Sequence, residues 1–359
     1  MKIIECRGSN TRIGQTIGEA LRQELHEQVT GFLPADLGCL QKEAALLKAS
    51  LEKHAPGVLK QMLATASAGG ISELQILALN CPSGSADYGY EQGCSNAVFG
   101  DGPDGPIWGK NNEGHYPPAD KPVVNCQGPR PVCALKLYPD HGIPAICFTF
   151  VGWFSGADMI NAEGLATGHS SVGSKFQQAP HHVSVLQWLY KGMFEMKTVG
   201  DYARHVTSMP LRGKGFSQVV VDAKGNMASG ELACPIAQIR WPANGLKAMN
   251  CVNHYQLPQL EGRDGRAPEG LANSKGRQAF LDAALLDGDR SITHMKRILA
   301  SHGEYSICRH GGKDQSFTEY SMIGLPRQRK ALLAHGNPCA TPYVEICLLQ
   351  SGLMRISAT

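Results

Sequence analysis

Between residues 35 and 55 the chain reads ADLGCLQKEAALLKASLEKHA, and its apolar positions Leu37, Leu40, Ala44, Leu47 and Leu51 recur at alternating steps of three and four. That period is the stripe of an amphipathic helix. A second helix is expected to start at Pro56, where a missing N–H costs nothing, and to stop at the Gly69-Gly70 pair. In ISELQI, Ser72 and Gln75 stand at capping-box spacing, with Ile71 and Ile76 where a hydrophobic staple would pack; this third helix should run to about Asn80.

Near residue 80 the pattern changes. After the polar stretch CPSGSADYGYEQG, alternating and β-branched runs dominate. SNAVF and PIWGKN read as one hairpin, VCALKLY and PAICFTFV as a second around PDHG, SQVVVD and MASGEL as a third around AKGN. Helical patterns lie between them, in HVSVLQWLYKGMFEM, VGDYARHVTS, SKGRQAFLDAALL and SITHMKRILASHG. Hairpins and helices in separate blocks favour an α+β layered fold over an alternating parallel one. Neither an internal repeat nor a low-complexity tract is present.

Composition narrows the function classes. With 359 residues and 42% hydrophobic content the chain can bury a real core unaided. A net charge of +3 without any block of like charge gives no electrostatic case for a nucleic-acid or membrane partner and leaves a small-molecule role open. The longest apolar stretch, AICFTFVGWF, is half of the roughly 20 residues a membrane helix needs, and the N-terminus lacks a signal-peptide apolar core, so a cytoplasmic location is expected. The twelve cysteines are scattered and are expected to be reduced. Neither Cys-x-x-Cys nor His-x-x-x-His occurs, which argues against zinc; His181-His182 and Cys308 with His310 could ligate only if the fold brought other ligands to them.

The candidate chemistry lies at Gly93-Cys94, where a thiol enters the first strand of a hairpin directly after a glycine. Taking the loop as Gly100 to Gly105, the mirror axis falls between Gly102 and Pro103, which sets Asn111 opposite Cys94 and brings Lys110 and Glu113 near it. A thiol with its ordinary pKa near 8.5 is only a few per cent thiolate at neutral pH. Cleavage between Gly93 and Cys94 would place an α-amine of pKa ~7.7–8.0 on the nucleophile's own residue as a built-in base. On the dipeptide alone, a packing cysteine at a strand entry is the better explanation.

Several further motifs follow in order: RGSNTRIGQTIGEAL, LQILALN, GCSNA…WGKNNEG, GADMINAEGLATG, VVVDAKGNMASGE, CVNHY, NSKGRQ and AHGNPCATPYVEICL. With them the chain resembles the acyl-coenzyme A:6-aminopenicillanate acyltransferase family of N-terminal-nucleophile (Ntn) hydrolases, relatives of the choloylglycine hydrolases. The resemblance implies a four-layer αββα sandwich and a precursor that cuts itself before Cys94, giving a helical segment 1–93 and a catalytic segment 94–359 that stay together as partners. It implies Cys94 as nucleophile of both cleavage and turnover, Asn253 as oxyanion donor, and catalytic placements for Lys110, Asn111 and Glu113. It also implies substrate contacts at His169, Ser170, Ser274 and Arg277.

The sequence departs from the family pattern in four places: Glu113 stands for an aspartate, Lys110 for an arginine, Pro82 for the arginine that follows the third helix, and His169-Ser170 where relatives often carry an asparagine near the oxyanion. The implied reaction is cleavage or transfer of the acyl group of a small N-acyl amide or acyl thioester through a Cys94 thioester, with no cofactor beyond acyl-CoA as a possible donor. Three alternatives stay open: an acyl-CoA-dependent N-acyltransferase, a non-catalytic binding homologue, and an unprocessed Cys-His enzyme using His169 or His254. A homo-oligomer is open as well.

Overall fold

The computed structural model describes residues 1–81, 93–115, 130–243, 245–311 and 316–348. Pro82 and the segment leading to Gly93 lie outside these residues. Strand β1 (Lys2–Gly8) opens the chain and five helices follow: α1 (Asn10–Ala20), α2 (Arg22–Phe32), α3 (Gly38–His54), α4 (Pro56–Gly69) and α5 (Glu73–Leu79). The periodic leucines of α3 are its buried face. Gly70 ends α4 in the left-handed conformation, φ 75°. The capping box of α5 forms in both directions, Gln75 N–H to Ser72 Oγ at 3.1 Å and Ser72 N–H to Gln75 Oε1 at 2.7 Å. In α1, Gly14 and Gly18 let the helix sit directly on α4, since a Cβ at either would come within 2.4 Å of an α4 carbonyl oxygen.

Next comes the hairpin β2 (Ser95–Phe99) and β3 (Ile107–His115). One sheet has eight strands: β1, β4 (Val132–Pro139), β5 (Ala145–Phe150), β6 (Met159–Asn161), β7 (Ala166–Ser171), β10 (Phe216–Val221), β11 (Met227–Leu232) and β12 (Ala237–Arg240), in that spatial order. The other has six: β13 (Ala248–Cys251), β2, β3, β14 (Ser316–Leu325), β15 (Lys330–His335) and β16 (Val344–Cys347). A short parallel pair, β8 (Val183–Ser184) and β9 (Leu211–Arg212), stands apart. The remaining helices are α6 (Val185–Met193), α7 (Val199–Thr207), α8 (Pro268–Leu285) and α9 (Ile292–Leu299).

Three buried cores define four layers. Helices α1 to α7 share one core with the outward side chains of the large sheet, among them Leu135, Leu137 and Cys147. Val98 and Trp108 meet Ile146, Phe148 and Val219 in a core between the two sheets. Phe99, Ile107 and Ile323 pack with Leu281 of α8 and Met295 of α9 on the far side of the small sheet. The order is therefore α, β, β, α, an αββα sandwich. All three hairpins read from sequence are present. The opening segment also contributes β1, which pairs parallel with β4 along Lys2–Gly8, so residues 1–81 supply an edge strand as well as helices. Among the described residues no helix is long and apolar enough to cross a membrane.

One register expectation is corrected. Ser95 pairs with Asn111 and Phe99 with Ile107, so the axis of the hairpin lies on Pro103 and continuation of the ladder sets Cys94 opposite Asn112. The connection contains Pro106 as well as Gly100 to Gly105. That one extra residue shifts the partner of Cys94 to the next position, which faces the other side of the sheet.

Candidate active site at Cys94

The pleat sorts the hairpin side chains onto two faces. Cys94, Asn96, Lys110 and Asn112 face the large sheet, whereas Ser95, Asn111 and Glu113 face α8 and the loop after α9. Cys94 Sγ lies 3.5 Å from Asn112 Oδ1. Asn96 accepts from Trp108 Nε1 at 3.2 Å and donates to Ser170 Oγ and the His169 carbonyl, both at 2.9 Å, which locks β2 to β7. The thiol is 1% exposed.

The backbone carbonyl of Cys94 is held from two sides. Ser170 Oγ donates to it at 3.2 Å and Arg277 Nη1 at 2.8 Å. Arg277, one helical turn beyond Ser274 on the buried face of α8, also reaches Ser95 Oγ at 3.0 Å, Asn253 Oδ1 at 2.8 Å and Asn273 Oδ1 at 2.9 Å. Burial and the neighbouring Arg309 and Arg266 lower its pKa, but only to about 9, so it remains cationic at neutral pH. Its fork thus bridges the Cys94 carbonyl and the Asn253 side chain. Asn253 Nδ2 donates one hydrogen to the Ser171 carbonyl at 2.7 Å; the other is uncommitted among the described residues.

Beneath the thiol, Lys110 Nζ lies 2.5 Å from Asp158 Oδ2 and 3.0 Å from His169 Nδ1. Tyr320 donates to the same Asp158 oxygen at 2.7 Å, and His169 N–H donates to the other at 3.2 Å. Burial alone would raise the Asp158 pKa, but Lys110 and His169 hold it well below the usual carboxylate range. Burial and Lys110 lower the pKa of His169 despite Asp158. Asp158 and Tyr320 were not singled out in the sequence; the signal for Asp158 was a carboxylate inside GADMIN, flanked by residues that read as core.

On the opposite face, Glu113 is fully buried and accepts from Thr318 Oγ1 at 3.0 Å. Burial pushes its carboxyl up to about 8, against the pull of Arg309 and Arg277. The ladder between β3 and β14 shifts between Thr318 and Tyr320, so Thr318 pairs with Glu113 while Tyr320 pairs with Asn112. Without that bulge the two side chains would share a face; with it, Thr318 serves Glu113 and Tyr320 serves Asp158. The extra residue, Glu319, accepts from Asn112 Nδ2 at 2.9 Å and pairs with Arg130 at 3.0 Å. Arg309, also missed by the sequence reading, donates its N–H to Thr318 Oγ1 at 2.9 Å. Its guanidinium donates to Asn273 Oδ1 at 2.8 Å and flanks Gly93, where an added Cβ would meet it at 3.4 Å.

The other expected residues lie at varying remove. Asn111 points away from the thiol and donates to the carbonyls of Leu299 and Ile307 at 2.8 and 2.6 Å, bracing the chain beyond α9. Ser274 Oγ lies 2.8 Å from His254 Nδ1, whose Nε2 lies 2.8 Å from Gln278 Oε1. Burial lowers the His254 pKa to about 4, so it is neutral. Neither His254 nor His169 hydrogen-bonds Cys94 among the described residues. Burial raises the pKa of the Cys94 thiol, with Lys110 opposing, so the sulfur is protonated at neutral pH.

No family model matches the chain, and no curated protein matches it. Solved structures do. A Caenorhabditis elegans orthologue of N-acylethanolamine-hydrolyzing acid amidase aligns over 65% of this chain and 93% of its own, with 11% identity and a TM-score of 0.46. Penicillin V acylase from Agrobacterium tumefaciens aligns over 71% of this chain and 86% of its own, with 12% identity and a TM-score of 0.44. A variant of conjugated bile acid hydrolase from Clostridium perfringens aligns over 72% of this chain and all of its own, with 10% identity and a TM-score of 0.46.

Proposed function

We propose that this chain is a self-processing cysteine amidohydrolase of the Ntn type, acting on a small N-acyl amide. The observation that carries the reading is the tether on Cys94: a thiol directly after a glycine, with its own carbonyl held by Arg277 and Ser170. Such a tether holds the residue from its C-terminal side and leaves the bond to Gly93 as the one that can be exchanged.

In processing, Cys94 Sγ adds to the Gly93 carbonyl carbon and the thiol proton passes to the departing nitrogen. The C–N bond breaks, a thioester to Gly93 forms, and water hydrolyses it to a Gly93 carboxylate and a free thiol. In turnover the new α-amine accepts the thiol proton, and the thiolate attacks the substrate amide. The uncommitted N–H of Asn253 donates to the developing oxyanion, a contact worth ~10²–10³ in rate at comparable sites. The amine product leaves with the proton, and water releases the acyl group as a carboxylate. Transfer to an amine instead of water shares the first half of this scheme.

Intact mass and N-terminal sequencing test the proposal. The expected result is two fragments, the larger beginning at Cys94, with Cys94→Ala giving one uncut chain. Acid quench of a single turnover with a panel of N-acyl amides should leave one acyl group on the larger fragment. A chain that begins only at Met1, or no acyl adduct across the panel, overturns it.

A further inference from the structure

Away from Cys94, four side chains from two loops converge on one point. His302, Cys308 and His310 lie in the loop that follows α9, and Cys339 lies in the loop that follows β15; their ligand atoms are all within 4.8 Å of one another. His310 Nε2 is 3.1 Å from His302 Nε2, 3.6 Å from Cys308 Sγ and 3.4 Å from Cys339 Sγ. One imidazole nitrogen carries at most one proton and cannot satisfy three neighbours at once. A central cation would satisfy all four atoms.

The three distances from His310 fit a particular cation. With Zn–N of about 2.0–2.1 Å and Zn–S of about 2.3 Å, a tetrahedron has N–N edges of about 3.3 Å and N–S edges of about 3.6 Å. The three separations above match those edges within a few tenths of an ångström. Two imidazoles and two thiolates are a borderline-soft set that suits Zn²⁺ rather than Mg²⁺ or Ca²⁺. Asn337 Nδ2, 3.6 Å from Cys308 Sγ, supplies the outer hydrogen bond that such a thiolate takes.

We propose that His302, Cys308, His310 and Cys339 form a structural Zn²⁺ site. It escapes the usual spacings because the ligands run His-x5-Cys-x-His and then wait for a distant loop. Binding displaces a proton from each thiol and involves no redox change. Four protein ligands leave no open position, so the ion staples the two loops and takes no substrate. Arg309 lies between two of the ligands, and its carbonyl accepts from Asn337 Nδ2 at 2.5 Å, so the staple also fixes the backbone that presents Arg309.

The test is elemental analysis of the full-length chain, produced with zinc and desalted. About one Zn²⁺ per chain is expected, with loss in Cys339→Ser and in His310→Ala. Should either variant fail to fold, the wild type still decides. Cobalt in place of zinc should give the thiolate charge-transfer and intense visible bands of tetrahedral Co²⁺. Alkylation should spare Cys308 and Cys339 until a chelator is added, while the exposed Cys39 reacts throughout. Absent or substoichiometric zinc, zinc unchanged by Cys339→Ser, octahedral cobalt bands, or an intact mass lowered by two hydrogens through a Cys308–Cys339 disulfide would each overturn the site.

Discussion

Arg277 donates to the carbonyl oxygen of Cys94 at 2.8 Å across 183 positions of sequence. The same guanidinium holds Ser95, Asn253 and Asn273, so it sets the distance between the proposed nucleophile and the proposed oxyanion donor. Arg277→Lys keeps a cation but loses the fork and cannot reach all four acceptors. Self-cleavage and kcat are expected to fall by ~10², as displacements near 1 Å do. Gel-resolved processing rates and single-turnover kinetics check this; wild-type rates would remove Arg277 from any positioning role.

Glu113 makes a prediction about pH. In the uncut chain its carboxyl is raised by burial to about 8 from an ordinary 4.5, so between those values the folded chain holds a proton that the unfolded chain has lost. Stability of the uncut chain should therefore decline as pH rises through about 4.5 to 8. In a Cys94→Ala background, Glu113→Gln should flatten this decline, read as the urea midpoint against pH. An unchanged slope would assign the decline to another group.

Asp158 makes the opposite prediction. Its folded pKa is depressed, so its contribution is complete above its ordinary value of 3.8 and is lost as pH falls below that. Asp158→Asn leaves the Lys110 ammonium buried without its carboxylate and should destabilise by about 3–5 kcal/mol. Adding Lys110→Met should recover most of that loss, which a double-mutant denaturation cycle would measure. Independent, additive effects would mean that the pair is not coupled.

For Asn111 a loss of stability is expected. Asn111→Ala leaves the buried carbonyls of Leu299 and Ile307 without their donor and should cost about 1–3 kcal/mol in stability. Processing at a temperature well below the melt should stay near wild type. A large kinetic defect in a stable Asn111→Ala protein would place it in the chemistry after all.

What the sequence revealed follows the range of the interactions involved. The leucine stripe of α3 and the Ser72/Gln75 box of α5 are contacts between residues three or four apart, and both are visible as spacing. The β2–β3 hairpin was visible too, but its register depended on whether Pro106 belongs to the loop or to the strand, and one residue exchanges the faces. Lys110 and Cys94 were legible as candidates; Asp158, the partner of Lys110, lies just before β6 of the neighbouring sheet. The division of labour between Thr318 and Tyr320 rests on a bulge at Glu319 that no turn residue announces. The His302–Cys339 quartet depends on the approach of two loops.

The edge strand β1 has a consequence for the proposed processing. It belongs to the piece before Gly93, yet it pairs with β4 along all seven residues from Lys2 to Gly8, and α1 and α4 beside it carry part of the same core. Once the Gly93–Cys94 bond is broken, these contacts join two molecules rather than two parts of one. Folding then becomes an association, and the melting temperature of the processed protein should fall on dilution while that of Cys94→Ala does not.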